Sequence, residues 1–157
     1  MNNILVSNCP KNTHFIDDIR DLNVFKELTI LMVDDDENMR FLIAEIFEIY
    51  GTKVMTATNP LEAFELIRKI KLDLLISDIN MPERNGYWLI QQVRTLTDSK
   101  NREIPAIAFT GDAGLNIQKK AIAAGFQTCI CKTSTIEQLV TEITKLLKPS
   151  WKLRREE

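Results

Sequence analysis

Five side chains in this sequence are of types that handle phosphate or a hard cation, and each follows a short apolar run. Residues 28–33 lead into Asp34 and Asp35, 72–77 into Asp78, 104–109 into Thr110, and 129–131 into Lys132. Carboxylates brought close together repel, so such a group needs a cation or raised pKa values. Oxygen-only donors suit Mg²⁺, which binds through one or two carboxylates with waters and a substrate phosphate. Lys132 can neutralise a phosphoryl oxygen or pair with a carboxylate, and Thr110 can hydrogen-bond a phosphoryl oxygen. Singly, each residue has an ordinary reading: a solvated acidic turn, a surface lysine, a threonine that caps a helix. The matched position of all of them, each at the end of a run, is what points to a site.

That convergence requires the runs to be parallel strands of one sheet, because open α/β sheets place their sites outside the carboxyl ends of the strands. The rest of the sequence supports this. From residue 28, strands expected at 29–33, 52–56, 72–77, 105–109 and 127–131 alternate with amphipathic helices. Asp36 can cap a helix carrying Met39, Phe41, Leu42, Ile43, Ile46 and Phe47, and Gly51 stops it. Asn59-Pro60 opens a second helix, proline suiting the first helical position, with Leu61, Phe64, Ile67 and Ile70 as its apolar side. Residues 80–86 are a loop of turn formers and 87–96 a third helix. A polar loop is expected over 98–103. A helix over 113–124 is stopped by Gly125. The last helix runs over 135–147, carries Ile136, Leu139, Val140, Ile143, Leu146 and Leu147, and is ended by Pro149. Five βα units with short crossovers place helices on both faces of a parallel sheet.

Residues 1–27 read as a separate N-terminal extension. Its first part is polar and broken, while Phe15, Ile16, Ile19, Leu22 and Phe25 fall near helical spacing over 14–26. The extension is expected to pack on the domain, on a partner or on a second copy, which leaves a homodimer open. Residues 149–157 form a short tail.

The bulk composition sets bounds. The 157 residues suffice for one domain with a full core, 45% are hydrophobic, and the net charge is −2. This balance gives no global attraction to nucleic acid or to an anionic membrane. No apolar stretch approaches the roughly 20 residues of a membrane helix. No basic-then-apolar leader opens the sequence, so a cytoplasmic setting is expected. Cys129 and Cys131 are too close for an ordinary bridge and have no zinc-site spacing, with the single histidine, His14, far away in sequence. They are expected to be small buried apolar residues.

The residues together resemble a known family. Val33-Asp34-Asp35-Asp36-Glu37-Asn38-Met39-Arg40, Ser77-Asp78-Ile79-Asn80-Met81-Pro82 with Gly86, Phe109-Thr110-Gly111 and Lys132 look like the receiver domain of two-component response regulators, over residues 28–148. The resemblance implies a flavodoxin-like (βα)5 doubly wound parallel sheet of order 2-1-3-4-5. It implies that Asp78 takes a phosphoryl group from a histidine kinase or phosphotransfer protein. It implies that Asp34, Asp35, Asp78 and the backbone carbonyl of Asn80 hold Mg²⁺. Lys132 would pair with the phosphoryl oxygens and Thr110 would bond one of them in the active state. Asn80 and Asp112 would flank the path of attacking water, which Gly111 leaves open. The result would be a phosphoacceptor signalling domain rather than an enzyme, with Mg²⁺-dependent self-phosphorylation and autodephosphorylation. It would stand alone or be excised from a hybrid sensor kinase, and act on a downstream target protein through 113–124 and the strand and helix that follow.

Two positions depart from the family pattern. Thr133 follows Lys132 where proline is common, so a cis bond is not expected there. Cys129 stands where the family often has Tyr or Phe, which shifts the expected coupling toward Thr110 and its loop. Two other readings are weaker. A flavodoxin-like anion or nucleotide binder lacks a Gly-rich loop after any strand and has an acidic edge. A Mg²⁺-dependent phosphatase would need Asp34 as nucleophile and leaves Met81-Pro82 and Gly86 without a role.

Overall fold

The computed structural model describes the backbone of residues 25–155 and the side chains of 25–147. Five strands, β1 (Thr29–Val33), β2 (Lys53–Ala57), β3 (Leu74–Ser77), β4 (Ala106–Thr110) and β5 (Thr128–Cys131), form one sheet in the order β2-β1-β3-β4-β5. Every pairing is parallel, so all five carboxyl ends lie along one edge. The helices are α1 (Glu37–Ile49), α2 (Pro60–Lys69), α3 (Gly86–Val93), α4 (Ser99–Arg102), α5 (Leu115–Ala124) and α6 (Ile136–Arg155).

Alternation along each strand separates two cores. Ile30, Met32, Leu74, Ile76, Ile107, Phe109 and Ile130 face α1 and α6. Leu31, Val33, Leu75, Ala106 and Ala108 face α2, α3 and α5. Local chemistry sets the helix starts. Asp36 accepts from the Asn38 amide, Asn59 from Glu62, and Asn85 from Trp88, each satisfying an amide the helix leaves free. Gly51 at φ +81° and Gly125 at φ +129° follow α1 and α5 in conformations that side chains rarely adopt.

The structure departs from the sequence reading at several places. Phe41 and Leu42 are exposed, because at about 100° per residue the arc of Ile43, Ile46 and Phe47 takes the sheet side. Leu61 likewise turns outward while Pro60, Ala63 and Ile67 are buried. Residues 98–103 hold a turn of helix, α4, capped by Asp98. Helix α6 continues through Pro149 to Arg155; a proline within a helix removes one backbone donor without always ending it. Residues 25–27 form a 3₁₀ turn that places Phe25 in the core, fully buried beside Phe47 and Tyr50. The remainder of the expected 14–26 helix lies outside the described residues. No cis peptide is present among them, Lys132–Thr133 included.

Candidate functional site at the carboxyl edge of the sheet

The β1, β3 and β5 ends bring Asp34, Asp78 and Lys132 into contact. Lys132 Nζ lies 2.7 Å from Asp34 Oδ2 and 3.2 Å from Asp78 Oδ2. The backbone sets this geometry: the Asp78 amide donates to the Val33 carbonyl at 2.8 Å, and the Lys132 amide to the Thr110 carbonyl at 2.7 Å. Each functional residue is thus pinned one step past its strand by the neighbouring strand.

The two oxygens of Asp78 are unequal. Oδ1 accepts from the Ile79 amide at 2.8 Å and the Asn80 amide at 3.4 Å. Oδ2 faces the lysine. Asp34 is fully buried, with Oδ1 held by the Asp36 amide at 2.9 Å. Burial raises its pKa most, and the Lys132 and Asp36 hydrogen bonds oppose that rise. Burial pulls the Lys132 ammonium down, but Asp34 and Asp78 outweigh it and the pKa is raised; the lysine stays charged.

Ligand oxygens of Asp34, Asp35 and Asp78 all lie within 4.8 Å of one another. Three carboxylates face one ammonium, an excess of negative charge in a partly dry cleft that a divalent cation would balance. The hard oxygen donors fit Mg²⁺ by type. Asp35 and Asn80 are exposed at the mouth, so the site is open to solvent.

Thr110 is placed differently from the other predicted residues. It is buried, and its hydroxyl accepts only a long 3.5 Å bond from the Asp112 amide. Its hydroxyl makes no hydrogen bond to Asp34, Asp78 or Lys132. Asp112 is exposed and its Oδ1 accepts from the Gly114 amide at 3.0 Å, shaping the loop into α5. A side chain at Gly111 would meet nothing within 4 Å. Cys129 and Cys131 are half-buried and free rather than fully buried, because β5 is the edge strand.

Three contributors stand in the quoted motifs but were given no role there. Ser77 donates to the Asp78 carbonyl at 2.8 Å, and Arg40 to the Asp34 carbonyl at 2.8 Å. Gly86 sits so close that a methyl group there would run into the Asp78 carbonyl oxygen. Only Gly86 left a signal, its fixed distance from Asp78 in a loop of turn formers.

A five-stranded parallel sheet of this order, with a buried acidic pocket and a lysine at its carboxyl edge, defines the flavodoxin-like class of signalling domains. Residues 30–144 match the response regulator receiver domain family, and the chain belongs to it. It is therefore a receiver domain of two-component phosphorelay signalling, a signalling domain by class. The chain is similar to an uncharacterized 14.6 kDa protein of Leptolyngbya boryana, 36% identical over 71% of this chain and 83% of that one. It is 30% identical to the sensor protein EvgS of Escherichia coli K12, over 77% of this chain and 10% of that protein. The chain thus spans about a tenth of the length of the curated sensor proteins it matches. Among solved structures, the chemotaxis response regulator CheY4 of Vibrio cholerae superposes with a TM-score of 0.71 at 26% identity, covering 76% of this chain and 98% of that one.

Proposed function

We propose that Asp78 is the phosphoacceptor and that Asp34, Asp35, Asp78 and the Asn80 carbonyl hold Mg²⁺. The observation that carries this is the asymmetry of the Asp78 carboxylate, one oxygen tied to two backbone amides and the other open to Lys132. The free oxygen attacks phosphorus, a bond from Asp78 oxygen to phosphorus forms, and the bond from phosphorus to the donor's histidine nitrogen breaks. Transfer of this kind needs positioning and charge neutralisation more than covalent help. A bound divalent ion supplies charge stabilisation for the phosphoryl oxygens. Lys132 exchanges part of its pairing with Asp34 and Asp78 for a phosphoryl oxygen. Thr110 takes another as its loop closes. The product is an acyl phosphate, labile to water, which suits a timed signal.

The donor is a histidine kinase or phosphotransfer protein, and the setting is cytoplasmic. The output is a phosphorylation-biased surface formed by α5, β5 and α6, where a groove of about 380 Å³ is lined by Gln118, Cys129, Gln138 and Glu142. Among the described residues no helix is long and apolar enough to cross a membrane.

The test is incubation with Mg²⁺ and a small phosphodonor. The chain is expected to gain the mass of one phosphoryl group, and chelation or Asp78→Asn to abolish the gain. A chain that never gains it, or an Asp78→Asn variant that still does, overturns the reading.

A further inference from the structure

Tyr87, the second residue of α3, has a hydroxyl sealed from solvent with no hydrogen-bond partner. A buried donor without a partner is costly, so this placement of the ring is held against a penalty. The core on the side of the sheet toward α3 and α5 is built of small residues where β4 and β5 contribute to it, Ala106 and Ala108 from β4 and Cys129 from β5. Tyr87 packs on that core, and burial first, then Cys129, pushes its phenol pKa up. Its ring also borders a second space, a notch of about 310 Å³ between α3 and α5 lined by Gln91, Lys120, Ala123 and Ala124. There the hydroxyl would reach water and polar side chains.

The ring is mechanically joined to the phosphoacceptor. Gly86, its chain neighbour, donates to the Ile79 carbonyl at 2.8 Å and packs so closely on the Asp78 carbonyl that no side chain fits between them. Any shift of the Asp78–Ile79 backbone is therefore felt at the first turn of α3. The far wall of the notch is α5, which buries only Ala121 and can yield.

We propose that Tyr87 is a two-position ring that reports the state of Asp78, seated inward against this core in this form and turning out into the α3–α5 notch on phosphorylation. The inference rests on the receiver reading. It makes the α3–α5 cleft, in addition to the loop after Thr110, a place where phosphorylation changes the surface.

The chain has two tyrosines, and Tyr50 packs on the opposite core. The full chain labelled with fluorotyrosine therefore gives two ¹⁹F resonances, assigned with Tyr87→Phe. With Mg²⁺ and a phosphodonor, and phosphorylation confirmed by mass, the Tyr87 resonance is expected to shift and to gain sensitivity to a soluble paramagnetic agent, while Tyr50 stays put. Asp78→Asn is expected to hold both still. A phosphorylated chain whose Tyr87 signal does not move, or moves without gaining accessibility, overturns the inference and leaves the receiver reading intact. A shift that persists in Asp78→Asn also overturns it. A chain that never gains the phosphoryl mass overturns the receiver reading and this inference with it.

Discussion

At the scale of single residues, environments separate side chains of one type. Cys129 and Cys131 lie two apart on β5, yet burial pushes the Cys129 thiol up, while the Thr133 hydroxyl, 3.0 Å from Cys131 Sγ, brings the Cys131 thiol down. A lowered pKa means more thiolate at any pH below it, and thiolate is the nucleophile. Cys131 is therefore expected to alkylate several-fold faster than Cys129 near neutral pH, and Thr133→Val to slow Cys131 alone, read by fragment mass mapping. Equal rates would remove the assigned role of Thr133. Gly86 makes the complementary case, since backbone rather than side chain occupies the space a Cβ would need. Gly86→Ala is expected to cost about 1–3 kcal/mol as overpacking does, lowering the urea midpoint, and to slow phosphorylation because the displaced group is the Asp78 backbone. A loss of stability with an unchanged phosphorylation rate would disconnect the two.

At the scale of elements, α5 differs from its neighbours. It has no side-chain cap at its start, exposes Leu115 and Ile122, and buries only Ala121. Its carboxyl end is fastened from outside by Arg94, which donates to the Gly125 carbonyl at 2.8 and 3.0 Å, to the Arg102 carbonyl at 2.7 Å and to Gln127 at 3.1 Å. Elements with few buried apolar contacts open first, so α5 amides are expected to exchange fastest among the helices longer than one turn, ahead of α1. Arg94→Met removes charged hydrogen bonds and is expected to cost about 1.5–3 kcal/mol, with the added exchange concentrated in α5 and the turn into β5. Uniform acceleration across the sheet would mean that Arg94 serves global stability instead. Nothing in the sequence marked Arg94, because its partners are backbone carbonyls far along the chain. The Asp36, Asn59 and Pro60 helix starts were legible because they are local. The outward turn of Phe41, Leu42 and Leu61 was not, because an apolar stripe does not say which part of it meets the sheet.

At the scale of the molecule, the parallel order and the carboxyl-edge site were readable because short apolar runs ending in reactive side chains constrain both together. The 3₁₀ turn at 25–27 was not readable, because Phe25 fits a helical spacing with Phe15, Ile16, Ile19 and Leu22. In the fold, Phe25 closes the α1–α6 core, with ring centroids 5.8 Å from Phe47 and 6.0 Å from Tyr50. Its carbonyl accepts from the buried Thr52 hydroxyl at 2.7 Å and from the Leu28 amide at 3.4 Å, so the chain before β1 is tied to the start of β2. The cooperative unit therefore includes Phe25. Phe25→Ala is expected to destabilise by about 3–5 kcal/mol, the range for a fully buried phenylalanine. The urea midpoint should fall while the slope stays constant, since the surface exposed on unfolding changes little. Phosphorylation of the folded fraction should be unaffected, because Phe25 lies at the opposite end of β1 from Asp34. A midpoint that hardly moves would return residues 25–27 to the extension and leave Phe47 and Tyr50 to close that core alone.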